Sequence, residues 1–250
     1  DSAQDELFRR LEDRAVPLMG HLHLTEECNL GCRHCYRAGL PRNAAMTGDE
    51  WTRLMDEMKA EGTFDLVLTG GEPLLHPEWR RITGHASRAG FRIDFMTNGT
   101  LASEEDIAFL ADARPRELHV SIHGLAAVHD AFVGRSGSFN HAWKTVETAV
   151  RRGLRTVVKM SLTRTTLADA ARRAERCRDI GAIFGPSYYL IPRCVPGNDG
   201  FLDDRLSADD VRFVEAHHEV WTGRPSFSTT DDHCGPAFCN MGWNRFAIGP

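Results

Sequence analysis

The sequence predicts an α/β protein of six consecutive strand–helix units, either an incomplete version of the eight-unit barrel or a doubly wound open sheet. Three observations carry that expectation. Strand-like apolar runs alternate with segments of helical periodicity along most of the 250 residues. Each connection is long enough for a right-handed crossover between parallel strands. The composition is that of an ordinary globular protein, 42% hydrophobic, 26% charged and 8% aromatic, which excludes a disordered chain, a collagen-like repeat and a coiled coil.

The strand-like runs are His21–Leu24, Asp65–Thr69, Phe91–Met96, Glu117–Ile122, Arg155–Leu162 and Ser187–Ile191. After the first, Trp51, Leu54, Met55 and Met58 recur at helical spacing behind a Thr47/Glu50 capping box. Pro77 suits the first turn of a second helix, whose apolar face is Trp79, Ile82, Ala86 and Ala89. Ser103 can cap a third, carrying Ile107, Leu110 and Ala111. Phe139, Ala142, Trp143, Val146, Ala149 and Val150 mark a fourth, and Leu167, Ala170, Ala171, Ala174 and Cys177 a fifth. Ser207 can cap the sixth, with Val211, Val214 and Trp221 inward. Beyond Trp221 the pattern degrades into a Gly/Pro/Asp/Cys-rich tail. Both candidate architectures place their site at the carboxyl ends of the strands.

Thirty Lys+Arg against 35 Asp+Glu give a net charge of −5, with nothing to suggest a nucleic-acid or anionic-membrane partner. No apolar run approaches the roughly 18 residues of a membrane span, and the charged stretch Asp1–Arg14 is no signal peptide. A cytoplasmic protein is the expectation. A chain that starts at Asp1 and stops at Pro250 is compatible with a fragment.

The 7 cysteines are too sparse for a disulfide framework and fit a reducing compartment. Three of them, Cys28, Cys32 and Cys35, crowd into the loop after the first strand. Thiolates select zinc, Cu(I) or iron–sulfur clusters. A structural zinc wants four ligands, which His21, His23 or His34 could complete. A four-iron cubane on three cysteines leaves one iron open for substrate. Ordinary thiols are the third reading.

The run Cys28-x3-Cys32-x2-Cys35-Tyr36 resembles the cluster motif of the radical S-adenosylmethionine (radical SAM) superfamily. Further motifs follow in order along nearly the whole chain. Gly70-Gly71-Glu72-Pro73 follows the second strand and Thr97-Asn98-Gly99-Thr100 the third. His119-Val-Ser121-Ile-His123-Gly124 ends the fourth, with His129-Asp130 and Arg135-x-Gly137-Ser138-Phe139 beyond. The succession is similar to the peptide- and protein-modifying branch that carries SPASM or twitch extensions. It implies a partial (β/α)6 barrel over residues 20–222, an N-terminal segment 1–19, and the start of an auxiliary-cluster domain over 223–250.

The resemblance implies a [4Fe-4S] cluster on Cys28, Cys32 and Cys35, with S-adenosylmethionine at its open iron. It places the methionyl amino group at Gly70–Pro73, where the glycines permit close approach and Glu72 offers a carboxylate. Read alone, that segment is an ordinary turn. Asn98, Ser121 and Arg135 would serve the ribose and carboxylate contacts; Ser121 read alone is a hydroxyl bonded to backbone. His34 would lie near adenine, flanked by Leu190 and Ile191. His123 departs from the pattern, where many relatives carry an acid. Cys177 reads as core and Cys194 as a loop thiol, with a thiol donor or radical relay as its rival.

The implied chemistry is reductive cleavage of S-adenosylmethionine to a 5′-deoxyadenosyl radical that abstracts hydrogen from the substrate. The implied substrate is a ribosomally made precursor peptide, to be cross-linked, epimerised or oxidised. Sulfatase-type Ser/Cys oxidation and porphyrin tailoring use the same framework. A zinc-stabilised binding module and an iron–sulfur electron carrier are the rivals outside that chemistry. Partners would be the precursor and a reductant such as flavodoxin or ferredoxin; with too few residues before the first strand for a fused leader-binding domain, the leader would be read by a separate leader-binding protein or by a C-terminal part beyond Pro250. The tail Cys239-Asn-Met-Gly242-Trp-Asn-Arg-Phe-Ala-Ile248-Gly-Pro250 resembles the opening of a SPASM or twitch segment, so Cys239, and after it Cys234, would ligate an auxiliary cluster.

Overall fold

The computed structural model describes residues 17–39, 43–191, 200–223 and 245–249. Seven strands, β1 (Met19–His23), β2 (Asp65–Thr69), β3 (Arg92–Thr97), β4 (Glu117–Ser121), β5 (Thr156–Ser161), β6 (Ile183–Ser187) and β7 (Arg245–Ile248), form one sheet in the order β6-β5-β4-β3-β2-β1-β7. Every pairing is parallel. From β1 to β6 the order never reverses. A doubly wound sheet needs such a reversal, so the chain takes the barrel alternative, with successive right-handed crossovers laying their helices on one face.

The helices are α1 (Gly48–Ala60), α2 (Trp79–Arg88), α3 (Glu104–Ala113), α4 (Ala126–Val133), α5 (Ser138–Arg151), α6 (Ala170–Asp179) and α7 (Ala208–Thr222). Capping boxes start α1 at Thr47/Glu50, α3 at Ser103/Asp106 and α7 at Ser207/Asp210. Pro77 lies in a turn ahead of α2 rather than inside its first turn, because Pro73–Leu75 forms a separate 3-10 turn. Helix α4 lacks a side-chain N-cap, which is why no start signal marks it in the sequence. It ends at Gly134 with φ 70°, a left-handed cap suited to glycine.

Alternate strand residues face opposite ways. Leu66, Leu68, Phe95, Leu118, Val120 and Val158 point to the helices and pack with Trp51, Ile82, Ile107 and Val146 in one core. Trp51, Met55, Leu68, Ile82 and Phe95 are completely buried, each contributing roughly 1.5–3 kcal/mol. The opposite set, including Asp94, Met96, Glu117, His119, Ser121, Lys159 and Ser161, lines the concave face and is largely polar. Its carboxylates are met by arginines from the following strand or its approach: Arg92 on Asp65, Arg116 on Asp94 and Arg155 on Glu117.

The sixth strand lies earlier than the sequence suggests, at Ile183–Ser187 instead of Ser187–Ile191. Gly185 and Pro186 disguise it, yet β6 is an edge strand paired only with β5 among the described residues, where proline is tolerated. Ile191 is therefore beyond the strand and 60% exposed. The tail contributes a seventh strand, absent from the six-unit expectation, which pairs Met19–Leu22 with Arg245–Ile248. Cys194, Cys234 and Cys239 lie outside the described residues.

Candidate active site

After β1 the chain enters the cysteine loop, pinned from two sides by backbone hydrogen bonds. Gly31 and Arg33 donate their N–H groups to the carbonyls of Val133 and Phe132 at the end of α4, both at 3.0 Å. On the other side Gly71 N–H donates to Thr25 O at 2.7 Å, and Glu72 N–H to Glu27 O at 2.8 Å. The turn after β2 is thus zipped to the start of the cysteine loop.

That contact explains the two glycines. A Cβ on Gly70, which has φ 148°, would stand 2.5 Å from Thr25 O, and one on Gly71 would stand 2.3 Å from Glu27 O. Both are forbidden approaches, so the pair serves first to bring two loop backbones together.

Glu72 is fully buried, and its carboxylate accepts hydrogen bonds from Thr97 Oγ1 at 2.6 Å, Asn98 N–H at 2.7 Å and Leu74 N–H at 3.3 Å. It is absent from the lining of the cleft described below, so the side chain braces β3 against the turn rather than projecting a free carboxylate. Burial pushes its pKa up to about 7, opposed by the three donors. Asn98 carries the brace onward. Its Nδ2 donates to Asn29 Oδ1 at 2.8 Å and stands 4.0 Å from Cys28 Sγ, while its Oδ1 accepts from Thr100.

Cys28, Cys32 and Cys35 are free and half-buried. Burial, then the neighbouring thiols, pushes Cys32 up to about 12; burial likewise raises Cys28. Cys28 and Cys32, whose ionisation burial and neighbouring thiols oppose, form with Cys35 a site that a cation converts to thiolates. Tetrahedral zinc would hold its sulfurs about 3.8 Å apart, from Zn–S bonds of about 2.3 Å. Among the described residues, the group of three ligand atoms within 4.8 Å of one another is Asp94, Glu117 and His119, not the cysteines. At least one pair of the three thiols is wider apart than that, a spacing that a multi-iron cluster accommodates. Asp94 is itself held by Arg116, and Glu117 by Arg155.

The loop roofs a cleft of about 830 Å³ at the carboxyl ends of the strands. Its walls bring together the three cysteines, Gly70 and Gly71, Asn98, Ser121, and also Lys159, Ser161 and Ser187. That volume accommodates a nucleoside-sized ligand with room for part of a second molecule. His34 and Tyr36 line it too. The His34 ring packs on His123 and Phe132, at centroid distances of 4.6 and 4.8 Å. His123 Nδ1 accepts from the Ser161 backbone N–H at 3.1 Å, and the His123 backbone N–H donates to His129 Nδ1 at 3.0 Å. Burial holds His123 well below the ordinary imidazole pKa, and brings His34 and His129 down to about 4. The neutral His123 ring therefore carries its proton on Nε2.

Pro73 is buried and opens the 3-10 turn. Arg135 and Ile191 are not in the cleft wall: Arg135 is exposed in the loop between α4 and α5, and Ile191 lies past the displaced end of β6. Lys159, Ser161 and Ser187 escaped sequence reasoning. The period-2 pattern of β5 places Lys159 and Ser161 on the face opposite Val158 and Met160, a usable signal for a polar residue pair at a strand end.

Among the described residues no helix is long and apolar enough to cross a membrane. The sequence profile of the Radical SAM superfamily matches residues 22–174. The chain is 26% identical over 248 residues to the sporulation killing factor maturation protein SkfB of Bacillus subtilis, covering 95% of this chain and 60% of that one. It is 30% identical over 200 residues to an AdoMet-dependent heme synthase of Methanosarcina barkeri, covering 79% and 56%. The subtilosin biosynthesis protein AlbA of Bacillus subtilis is 29% identical over 240 residues, covering 94% and 53%. The chain thus spans between 53% and 60% of the length of these three relatives. Its fold matches that of Streptococcus suis SuiB bound to S-adenosylmethionine with a TM-score of 0.72 at 16% identity, covering 86% of this chain and 51% of that one. The profile match spans the cysteine loop, the glycine turn and the cleft walls through β5, and with it the chain belongs to the radical SAM superfamily.

Proposed function

We propose that the protein reductively cleaves S-adenosylmethionine and uses the product radical to modify a ribosomally made precursor peptide. The observation that carries this reading is that one cleft collects three free thiols, the Gly70–Gly71 turn and Asn98, each from a different loop of the barrel mouth.

A [4Fe-4S] cluster with S-adenosylmethionine bound supplies the one-electron cleavage and the 5′-deoxyadenosyl radical, chemistry that belongs to the cofactors. Cys28, Cys32 and Cys35 would hold the cluster. The chain's own task is placement. The zipped backbones of Thr25–Glu27 and Gly71–Glu72 fix the cysteine loop against the turn where a methionyl amino group would bind. Glu72 and Asn98 hold that turn, β3 and Cys28 as one unit. The polar barrel interior binds and orients the substrate, and the packed His34, His123 and Phe132 rings close one wall against water. No acid–base pair is required of the side chains.

SkfB and AlbA, named for bacteriocin and killing-factor maturation, and SuiB, seen bound to the precursor peptide SuiA, support a peptide substrate. The resemblance to heme synthases supports porphyrin tailoring as a second reading. Residues 223–250 would begin a SPASM or twitch segment, with Cys239 and Cys234 as ligands of an auxiliary cluster. A reductant such as flavodoxin or ferredoxin would deliver the electron.

Anaerobic incubation of the iron-reconstituted protein with S-adenosylmethionine and dithionite tests the central claim. Formation of 5′-deoxyadenosine is the expected result. A colourless protein holding one zinc, with no cleavage, would remove the enzyme reading. For the tail, Cys239→Ala should lower iron content in a chain extended past Pro250; no change would refute the auxiliary-cluster assignment.

A further inference from the structure

The segment His123-Gly124-Leu125 lies between β4 and α4 and belongs to neither, yet each of its residues is tied through a backbone group to a later side chain. His123 N–H donates to His129 Nδ1 at 3.0 Å, Leu125 N–H donates to Asp169 Oδ2 at 2.8 Å, and Gly124 O accepts from Arg173 Nη2. The first of these anchors spans 6 residues and forms within the β4–α4 unit. The other two span 44 and 49 residues, so they fasten the turn to the start of α6, one strand–helix unit further on.

Arg173 is the unusual anchor. It is completely buried, with its guanidinium 5.0 Å from the ring centroid of Phe139 and 4.9 Å from that of Trp143. Burial brings its pKa down to about 10, so it is still a cation at neutral pH. Its Nε and Nη1 find no hydrogen-bond partner among the described residues, which leaves the Gly124 carbonyl as the acceptor for the group. A buried cation so thinly served is less stable there than an apolar side chain of its size would be. Covering the two rings does not require it either, because exposed Arg176 lies over the same Phe139 and Trp143 at 5.4 and 4.0 Å. What distinguishes Arg173 is its hold on the turn.

That turn leads straight to the cysteine loop. His123 lines the cleft, and its ring meets His34 at 4.6 Å and Phe132 at 4.9 Å between centroids. Gly31 and Arg33, on either side of Cys32, are in turn bonded to the carbonyls of Val133 and Phe132. A shift of Gly124 therefore moves His123 against the loop that carries the three thiols. We propose that Arg173 is a positioning residue: by holding Gly124 O, with Asp169 on the next N–H, it sets His123 against His34 and so fixes one wall of the cleft in which S-adenosylmethionine is cleaved. The inference rests on the radical SAM reading of the cleft. Misplacement of such a wall by about 1 Å is enough to slow a reaction roughly 100-fold.

The test compares R173M, R173K, R176M and D169A with the wild type, each loaded with iron and checked for iron content and thermal unfolding. R173M removes both the stacking and the turn contact, whereas R176M removes stacking alone. R173K keeps an N–H donor for Gly124 O, and D169A removes the neighbouring anchor from a half-buried place. One readout, independent of activity, is amide hydrogen exchange across residues 121–127 by mass spectrometry. The other is the rate of 5′-deoxyadenosine formation per iron-loaded chain at saturating S-adenosylmethionine. R173M should speed exchange in the turn and slow cleavage, each by at least about tenfold. R173K and R176M should stay within about threefold of the wild type in both, and D169A should move both in the direction of R173M by more than about threefold. R173M that matches R176M in both readouts would overturn the proposal, since the arginine would then only pack. Faster exchange in R173M with an unchanged rate would also overturn it. If R173M does not fold, D169A decides, and wild-type exchange and rate in that variant would refute the role of the turn. A wild type that forms no 5′-deoxyadenosine would remove the functional reading and this role with it; exchange in the turn tells the two failures apart.

Discussion

The Glu72 carboxylate accepts a 2.7 Å hydrogen bond from Asn98 N–H, and the same asparagine places its side-chain amide 4.0 Å from Cys28 Sγ. One buried acid thereby couples the turn after β2, the end of β3 and the thiol of Cys28. Because the carboxylate is spent on this brace, its loss should act through position rather than through a lost charge pair with a ligand.

Glu72→Gln retains an acceptor oxygen and should hold S-adenosylmethionine affinity within about threefold. Glu72→Ala leaves Asn98 N–H and Thr97 Oγ1 unpaired in a buried place, costing about 1–3 kcal/mol of stability. The folded pKa, about 7, lies above the model-compound value of 4.5. Between those pH values the native state binds more protons than the unfolded one, so this group's contribution to stability falls as pH rises through that window, by roughly 3 kcal/mol in all. Urea unfolding of wild type and Glu72→Gln from pH 4.5 to 7.5 checks it: the variant should lack that slope.

Cys32→Ala should bring iron content near zero, whereas Cys177→Ala should leave about four irons per chain. Cys177 is completely buried on α6, so its variant should instead lose about 1 kcal/mol of core packing. Iron analysis and thermal unfolding of both proteins separate the two roles; equal iron loss would mean the ligands are misassigned.

Gly71→Ala should be more damaging than its size suggests. The added Cβ would stand 2.3 Å from the backbone oxygen of Glu27, which no rotamer change can relieve. The expected cost is about 1–3 kcal/mol, with a lower iron yield because the cysteine loop must shift. A variant with wild-type melting temperature and iron content would contradict the loop-to-loop contact.

His123 should stay neutral, protonated on Nε2, throughout the ordinary working range of pH. Burial lowers its pKa, and Ser161 N–H already occupies Nδ1. Nitrogen-15 NMR of labelled histidine should show the same tautomer at pH 6 and pH 8. Titration of that signal between them would show that the ring is less enclosed.

The sequence by itself determined the helices and most of the strands, since capping boxes such as Ser103/Asp106 and the alternation of Leu66 and Leu68 with Asp65 and Val67 are local patterns. It also carried the spacing of Cys28, Cys32 and Cys35, because ligands from one loop lie close in the chain. It did not show β6, whose Gly185 and Pro186 read as loop until β5 supplies a register. The strand–helix pattern alone left barrel and open sheet both open, since that choice depends on strand order; the motif resemblance implied the barrel, and the strand order agrees with it. The glycines of the turn line the cleft as the sequence suggested, but tertiary packing adds a close backbone contact with the cysteine loop at both, and it buries the acid beside them as a brace. The period-2 pattern of β5 sets Lys159 and Ser161 on one face, but only the pairing of β4, β5 and β6 brings them beside Ser121 and Ser187 in the cleft wall, because a wall drawn from several strands has no signature in any one of them.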